Sequence, residues 1–275
     1  MVILVYGSLV PDIVFSVPRL PMSGEDVPAS AVSFVPAGGG GNIATALARW
    51  GHAVRVSGNS VGTDPLGSWV ATAFEELGIS LPAGFVDVDG VTVPNGILVT
   101  PDGQRTIIGS DYRRVHWLPA PDWTDVRAVA VDGYSGEAGA EVIEHAARLG
   151  VPVVGADRTG PETAHLTALL WSGAEHPDEA AAVQVAATGP AVVVTRGPDP
   201  IDVFLPDGSR AQIAPTPVEG VDTTGAGDAF TAAVAASLGA GDEIVQAVRS
   251  AALRAASYVA AGRDATPPPT ARMGP

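Results

Sequence analysis

VRAVAVDGYSGEAGAEVIEHAARLGVPVVGA, residues 126–156, reads as a strand, a helix and a second strand in succession. The apolar runs at 126–131 and 151–156 have strand length, and the stretch 137–149 between them has helix length. The rhythm continues outward with a strand at 166–171, a helix at 178–187 and a strand at 191–195. Such alternation predicts a parallel sheet covered by helices on both faces. Working back toward the N-terminus, 2–6 is a buried strand and 42–50 a helix with Ala44, Leu47 and Ala48 on one face, stopped by Gly51. A strand at 54–57 and a helix at 66–77 follow, with Gly78 as the helix C-cap. Toward the C-terminus come a hairpin, 201–205 and 209–213 around Pro206-Asp207-Gly208, and helices at 226–238 and 242–260.

Two places break the rhythm. Extended runs near 13–17 and 30–35 lie between Pro and Gly breakers, and runs at 91–100 and 104–109 join through Pro101-Asp102-Gly103. The segments near 13–35 and 91–109 are therefore expected to form a small sheet projecting from the main domain, a lid over a cleft. The whole chain, 1–275, reads as one α/β domain carrying that lid.

Composition narrows the function. Acidic residues number 30 and basic residues 15, for a net charge of −15, and every basic residue is Arg. That balance argues against nucleic acid and anionic membrane surfaces as partners. It leaves room for an anionic small ligand, which a few Arg and a helix N-terminus can hold. With no Cys there is no disulfide, no Cys-based zinc site and no thiol nucleophile. The five His form no His-x-x-x-His pair, so a zinc enzyme is not expected. The N-terminal run lacks a basic leader and no stretch reaches 18 uncharged apolar residues, so a cytoplasmic location is expected.

Two glycine-rich segments carry the chemistry. In Val221-Asp-Thr-Thr-Gly-Ala-Gly-Asp-Ala-Phe230, Gly225 and Gly227 permit tight backbone geometry before an apolar helix. Backbone N–H groups then converge at the positive end of a helix dipole and form an anion hole. Asp228 falls in the first helical turn. Phosphoryl transfer needs both features: charge stabilisation for the transferred group and a base for the attacking hydroxyl. The alternative is an Asp that caps the helix. In Pro36-Ala-Gly-Gly-Gly-Gly-Asn-Ile-Ala-Thr45, four glycines before a helix bring backbone close to a ligand, and Asn42 suits sugar hydroxyls. The alternative there is a flexible connector. Gly39-Gly-Gly41-Asn-Ile-Ala44 also fits the loose dinucleotide pattern of a dehydrogenase, which wants an acidic residue closing the next strand. Val54-Arg-Val-Ser-Gly-Asn59 ends in neutral residues, and that reading leaves 222–228 without a role.

Asp222-Thr-Thr-Gly-Ala-Gly-Asp-Ala-Phe230 closely resembles the C-terminal signature of the ribokinase-like, phosphofructokinase-B-type carbohydrate kinases. Gly38-Gly-Gly-Gly-Asn42 is similar to their N-terminal signature, Gly7-Ser8 with Asp12 to their opening strand and sugar-binding Asp, and Gly62-Thr-Asp-Pro-Leu-Gly67 to their Gly-x-Asp-x-x-Gly turn. The resemblance runs from Val2 to about Gly262. It implies a three-layer α/β sandwich, nine or so strands in a mostly parallel central sheet, and a β-sheet lid. It also implies transfer of the ATP γ-phosphoryl group to a primary hydroxyl with Mg²⁺. Asp228 would be the base, with Gly225, Ala226 and Gly227 as the anion hole. Asp12, Gly39, Gly40 and Asn42 would face the sugar. Thr195, Arg196 and Gly197 resemble the Thr-x-Gly turn near the nucleotide phosphates, and Ser172-Gly-Ala-Glu175 the Asn-x-x-Glu motif that orders Mg²⁺, leaving Glu175 as its metal-linked residue. The departures are Ser172 in place of Asn, an extra residue between Gly51 and Gly62, and no Lys within the glycine run.

Other residues have weaker claims. Arg105, Arg113 and Arg114 could serve phosphates or a surface. Asp132-Gly-Tyr134 and Asp157-Arg158 end core strands, where ligands gather in open sheets. Trp117, Trp123 and Trp171 read as packing. The expected activity is that of an ATP-dependent sugar kinase. Its alternatives are a nucleoside kinase of the same fold and a catalytically inactive sugar-binding protein. The expected partners are a small sugar or nucleoside, with a homodimer through the lid as a further possibility.

Overall fold

The structure is a computed structural model and describes residues 2–120, 122–216 and 225–261. Its main sheet has eight strands. β1 (Val2–Gly7) lies between β4 (Ala53–Gly58) and β7 (Val126–Val131), and β8 (Val153–Ala156), β9 (Ala168–Ser172) and β10 (Ala191–Arg196) follow beyond β7. These six run parallel to their neighbours. The edge beyond β10 is an antiparallel hairpin of β11 (Asp199–Phe204) and β12 (Arg210–Ile213). The central strands are buried on both faces, so they read as continuous apolar runs rather than as alternation.

One face of the sheet is covered by α1 (Gly39–Arg49), α2 (Pro65–Glu76), α5 (Ala226–Ala240) and α6 (Ile244–Ala261). The other is covered by α3 (Gly136–Arg148) and α4 (Glu179–Ala186). This is the three-layer sandwich expected from the alternation. α5 is buried all round from Ala229 to Leu238, as a helix apolar on every side must be. Its run of alanines lets α1 and α6 pack close on either side.

The two segments that broke the rhythm meet in a separate four-stranded sheet: β3 (Ala31–Ala37), β2 (Val10–Ser16), β5 (Asn95–Val99) and β6 (Arg105–Ile108). β2 pairs antiparallel with β3 and parallel with β5, in register Asp12 to Asn95. β5 starts only at Asn95, after Pro94, which has no N–H to give a ladder.

Three details differ from the sequence reading. Gly39, Gly40 and Gly41 are not a connector ahead of a helix but the first turn of α1, with Gly38 as its N-cap. Among the described residues the main sheet has eight strands, where nine or so were expected. Short 3₁₀ turns at Tyr112–Arg114 and Pro161–His165 were not foreseen.

The chain leaves β1 toward β4 on one side, while β7 to β10 build out on the other. Ligands in open α/β sheets bind beyond the strand C-termini at such a reversal. Here those termini are Gly7 of β1 and Val131 of β7.

Candidate active site

Asp132, just past β7, closes the crevice at the reversal. Its Oδ2 accepts from the Ser8 N–H at 2.6 Å, the Ser8 hydroxyl at 2.7 Å and the Gly40 N–H at 3.3 Å. Its Oδ1 accepts from the N–H groups of Tyr134 at 3.1 Å and Ser135 at 3.2 Å. One buried carboxylate thus joins the end of β1, the start of α1 and the loop into α3. The glycines of α1 are what let its first turn come so close. A Cβ on Gly40 would stand 2.8 Å from the carbonyl carbon of Gly7.

The first turn of α5 meets α1 there. Gly225 caps α5 with φ of 80°, a left-handed conformation that costs glycine nothing. Gly225, Ala226 and Gly227 open the helix, where backbone N–H groups have no partner within the helix and the dipole is positive. Asp228 is half-buried in that turn and accepts from Asn42 Nδ2 at 2.7 Å. The structure therefore brings Asn42, Gly39 and Gly40 on α1 together with Asp228 on α5. Asp222 lies outside the described residues.

Asp12 on β2 is 4% exposed, and its Oδ1 accepts from Asn95 Nδ2 at 3.0 Å. Asn95 also lies 3.5 Å from the Tyr112 hydroxyl. Burial, the leading cause, pushes the Tyr112 hydroxyl up to about 12, so it stays neutral at ordinary pH and accepts from the Asn95 amide. Tyr112 stacks on Tyr134, with ring centroids 5.2 Å apart. Asn95 and Tyr112 were missed in the sequence. The available signal was a polar residue directly after Pro94, opening an otherwise apolar strand.

Thr195 and Arg196 end β10, and Gly197 turns the chain with φ of 60°. The Gly173 N–H donates to the Thr195 carbonyl at 2.8 Å, which ties the loop after β9 to this turn. The Arg196 guanidinium pairs with Asp202, which is 3% exposed and also accepts from Arg210 at 2.8 Å and Gln212 at 2.9 Å. Arg196 also crosses Gly173 closely, 2.6 Å from where a Cβ would be.

Asp157, Glu175 and His176 form a third group, with one ligand atom from each lying within 4.8 Å of the others. Asp157 Oδ1 accepts from the Ser172 N–H at 3.1 Å, and the His176 ring stacks on Trp171 at 4.5 Å. Loss of water, with Glu175 as the nearby like charge, moves the Asp157 carboxyl above its ordinary range. A cation there would reverse that balance. His176 had no signal in the sequence beyond its position after Glu175.

Arg158 is turned into the protein, 5% exposed. It is buried with Glu162 at 2.8 Å and donates to the carbonyls of Asp132 and Gly136, each at 2.8 Å. Arg113 lies at the surface on Asp111. Trp117 packs on Tyr6 and Trp123 on His145.

The family model for pfkB family carbohydrate kinases matches residues 2–271. The chain belongs to that family. Its members are ATP-dependent phosphotransferases.

Solved members of the fold superpose over nearly the whole chain. Ribokinase from Thermotoga maritima has a TM-score of 0.77 at 23% identity, covering 96% of each chain. Ribokinase from Arabidopsis thaliana, solved with ribose and ATP, has a TM-score of 0.75 at 23% identity, covering 94% of this chain and 92% of that one. A nucleoside kinase from Burkholderia thailandensis, solved with inosine, has a TM-score of 0.74 at 22% identity, covering 94% and 89%. At such identities the likeness establishes the fold, and acceptors differ among these pfkB-fold kinases. No curated protein matches the chain. Among the described residues no helix is long and apolar enough to cross a membrane.

Proposed function

We propose that this pfkB family member transfers the ATP γ-phosphoryl group to a primary hydroxyl of a small sugar, with Asp228 as the base. The observation that carries this reading is the meeting of Asp228 with Asn42 at 2.7 Å, at the mouth of the α5 N-terminus. A carboxylate held beside a positive helix end can take a hydroxyl proton while the N–H groups of Gly225, Ala226 and Gly227 stabilise the charge of the transferred group. The acceptor hydroxyls would bind Asp12, Asn42 and the backbone of Gly39 and Gly40. The Asn95 amide holds the Asp12 carboxylate in place.

The nucleotide phosphates would lie along Thr195, Arg196 and Gly197. Asp157 and Glu175 offer two hard oxygen donors near that turn, which suits Mg²⁺, an ion that takes one or two protein carboxylates and fills the rest with phosphate and water. When bound, the ion neutralises phosphate charge. A His neighbour is less typical for it, so Glu175 and Asp157 are the assigned holders. The four-stranded sheet, which carries Asp12 on β2, would act as a lid that excludes water from the transfer.

The ribose and inosine complexes of the fold relatives support two acceptor classes, free sugars and nucleosides. A coupled ADP-release screen over sugars, phosphosugars and nucleosides tests the proposal. Turnover with a sugar supports it, turnover confined to nucleosides selects the second class, and binding without ADP release removes the kinase assignment.

A further inference from the structure

Tyr134 is 60% exposed and sits two residues past Asp132, in the turn that follows β7. One face of its ring is taken by Tyr112, at 5.2 Å and 28° between planes. Its backbone is fixed as well, because its N–H donates to Asp132 at 3.1 Å. Tyr112 is in turn placed against Asn95, and Asn95 against Asp12. Tyr134 is therefore linked through Tyr112 and Asn95 to Asp12, with its ring backed and much of its surface open.

We propose that the open face of Tyr134 is the surface on which the ring of the acceptor packs, so that Tyr134 selects cyclic acceptors over open-chain polyols. This rests on the kinase reading above. A sugar ring can present a face of C–H groups, and a nucleobase is flat on both faces. The electron-rich face of a tyrosine attracts the C–H groups of the first, stacks on the second, and shields either from water. The hydroxyls at the ring's rim remain free to reach Asp12 and Asn42. An open-chain polyol carries hydroxyls all round, and pressing it on an aromatic ring strips water from groups that gain no partner. Tyr112 contributes by holding the platform flat rather than by touching the acceptor.

The experiment compares steady-state kinetics of the wild type, Tyr134→Phe and Tyr134→Leu in coupled ADP release. The acceptors are the best cyclic compound and polyols of the same carbon number. Tyr134→Leu is expected to raise the KM for the cyclic acceptor about three- to tenfold, the size of one aromatic contact. Tyr134→Phe is expected to stay near wild type, with the KM for ATP unchanged in both. Equal KM values for wild type and Tyr134→Leu, or an equal loss in Phe and Leu, overturn the proposal. Asp228→Asn in the same assay separates the two readings: an inactive Asp228→Asn beside an unaffected Tyr134→Leu leaves the kinase standing without the platform. If the wild type turns over nothing, saturation-transfer NMR with the same compounds reads the approach of the acceptor ring to the protein directly. A transfer signal that disappears in Tyr134→Leu upholds the platform, and absence of any cyclic binder ends it. Thermal unfolding checks each variant, and Tyr134→Gln replaces the Leu variant if that one fails to fold.

Discussion

Asn42 Nδ2 donates to Asp228 Oδ2 at 2.7 Å, joining two helix N-terminal turns that lie 186 positions apart in the chain. In the proposed reaction the contact gives Asn42 two tasks, binding acceptor hydroxyls and orienting the base. Asp12 stands on another element, β2, where the Asn95 amide holds its carboxylate.

That difference yields the first prediction. Asp12→Ala should raise the acceptor KM by the loss of one or two hydrogen bonds, about 1–3 kcal/mol, with kcat little changed. Asn42→Ala should raise the acceptor KM and also lower kcat, since Asp228 loses its orienting amide. The KM for ATP should hold in both. Steady-state kinetics with acceptor and ATP varied separately checks this, and a parallel rise in the KM for ATP would contradict the division of the site.

The second prediction concerns motion. If the four-stranded sheet is a lid, its strands move as a unit. Hydrogen exchange at residues 10–16, 31–37, 95–99 and 105–108 should slow together when acceptor binds. Protection that is the same in both states, or that responds to ATP alone, contradicts a lid.

Much of this was legible in the sequence. The alternation from 126 to 195 pointed to the parallel sheet, because buried parallel strands are written as plain apolar runs that periodicity finds easily. The two glycine-rich turns were legible because close backbone approach and a left-handed cap leave few residues but Gly. What stayed hidden was long-range pairing. Nothing local marks Asn95 as the partner of Asp12, because that pairing arises from β2 lying in register with β5. Asp132 was visible as a strand end, but its five hydrogen bonds depend on where β1 and α1 arrive. The glycine run reads as a segment ahead of the helix because glycine has poor helix propensity, and here close packing against Gly7 overrides it.

The third prediction is about pH. Burial alone would raise the Asp202 carboxyl, but the hydrogen bonds from Gln212, Arg210 and Arg196 outweigh it and hold the carboxyl below its ordinary range. The stability this supplies is present above the ordinary carboxylate pKa of about 3.9 and is lost as pH falls through the lower folded value. Asp202→Asn should cost about 2 kcal/mol at neutral pH, roughly 4–8 °C in Tm. The gap from wild type should narrow as pH falls below about 4. Thermal unfolding across that range checks it, and a gap that does not change with pH would remove the carboxylate as its source.

The central claim is that Asp228 takes the acceptor proton. The direct measurement is kcat for ADP release by Asp228→Asn with the best acceptor at saturation, on protein whose Tm matches the wild type. The account predicts a fall of roughly 10²–10⁴-fold, the usual contribution of a positioned acid or base. Activity within a few-fold of wild type would contradict it.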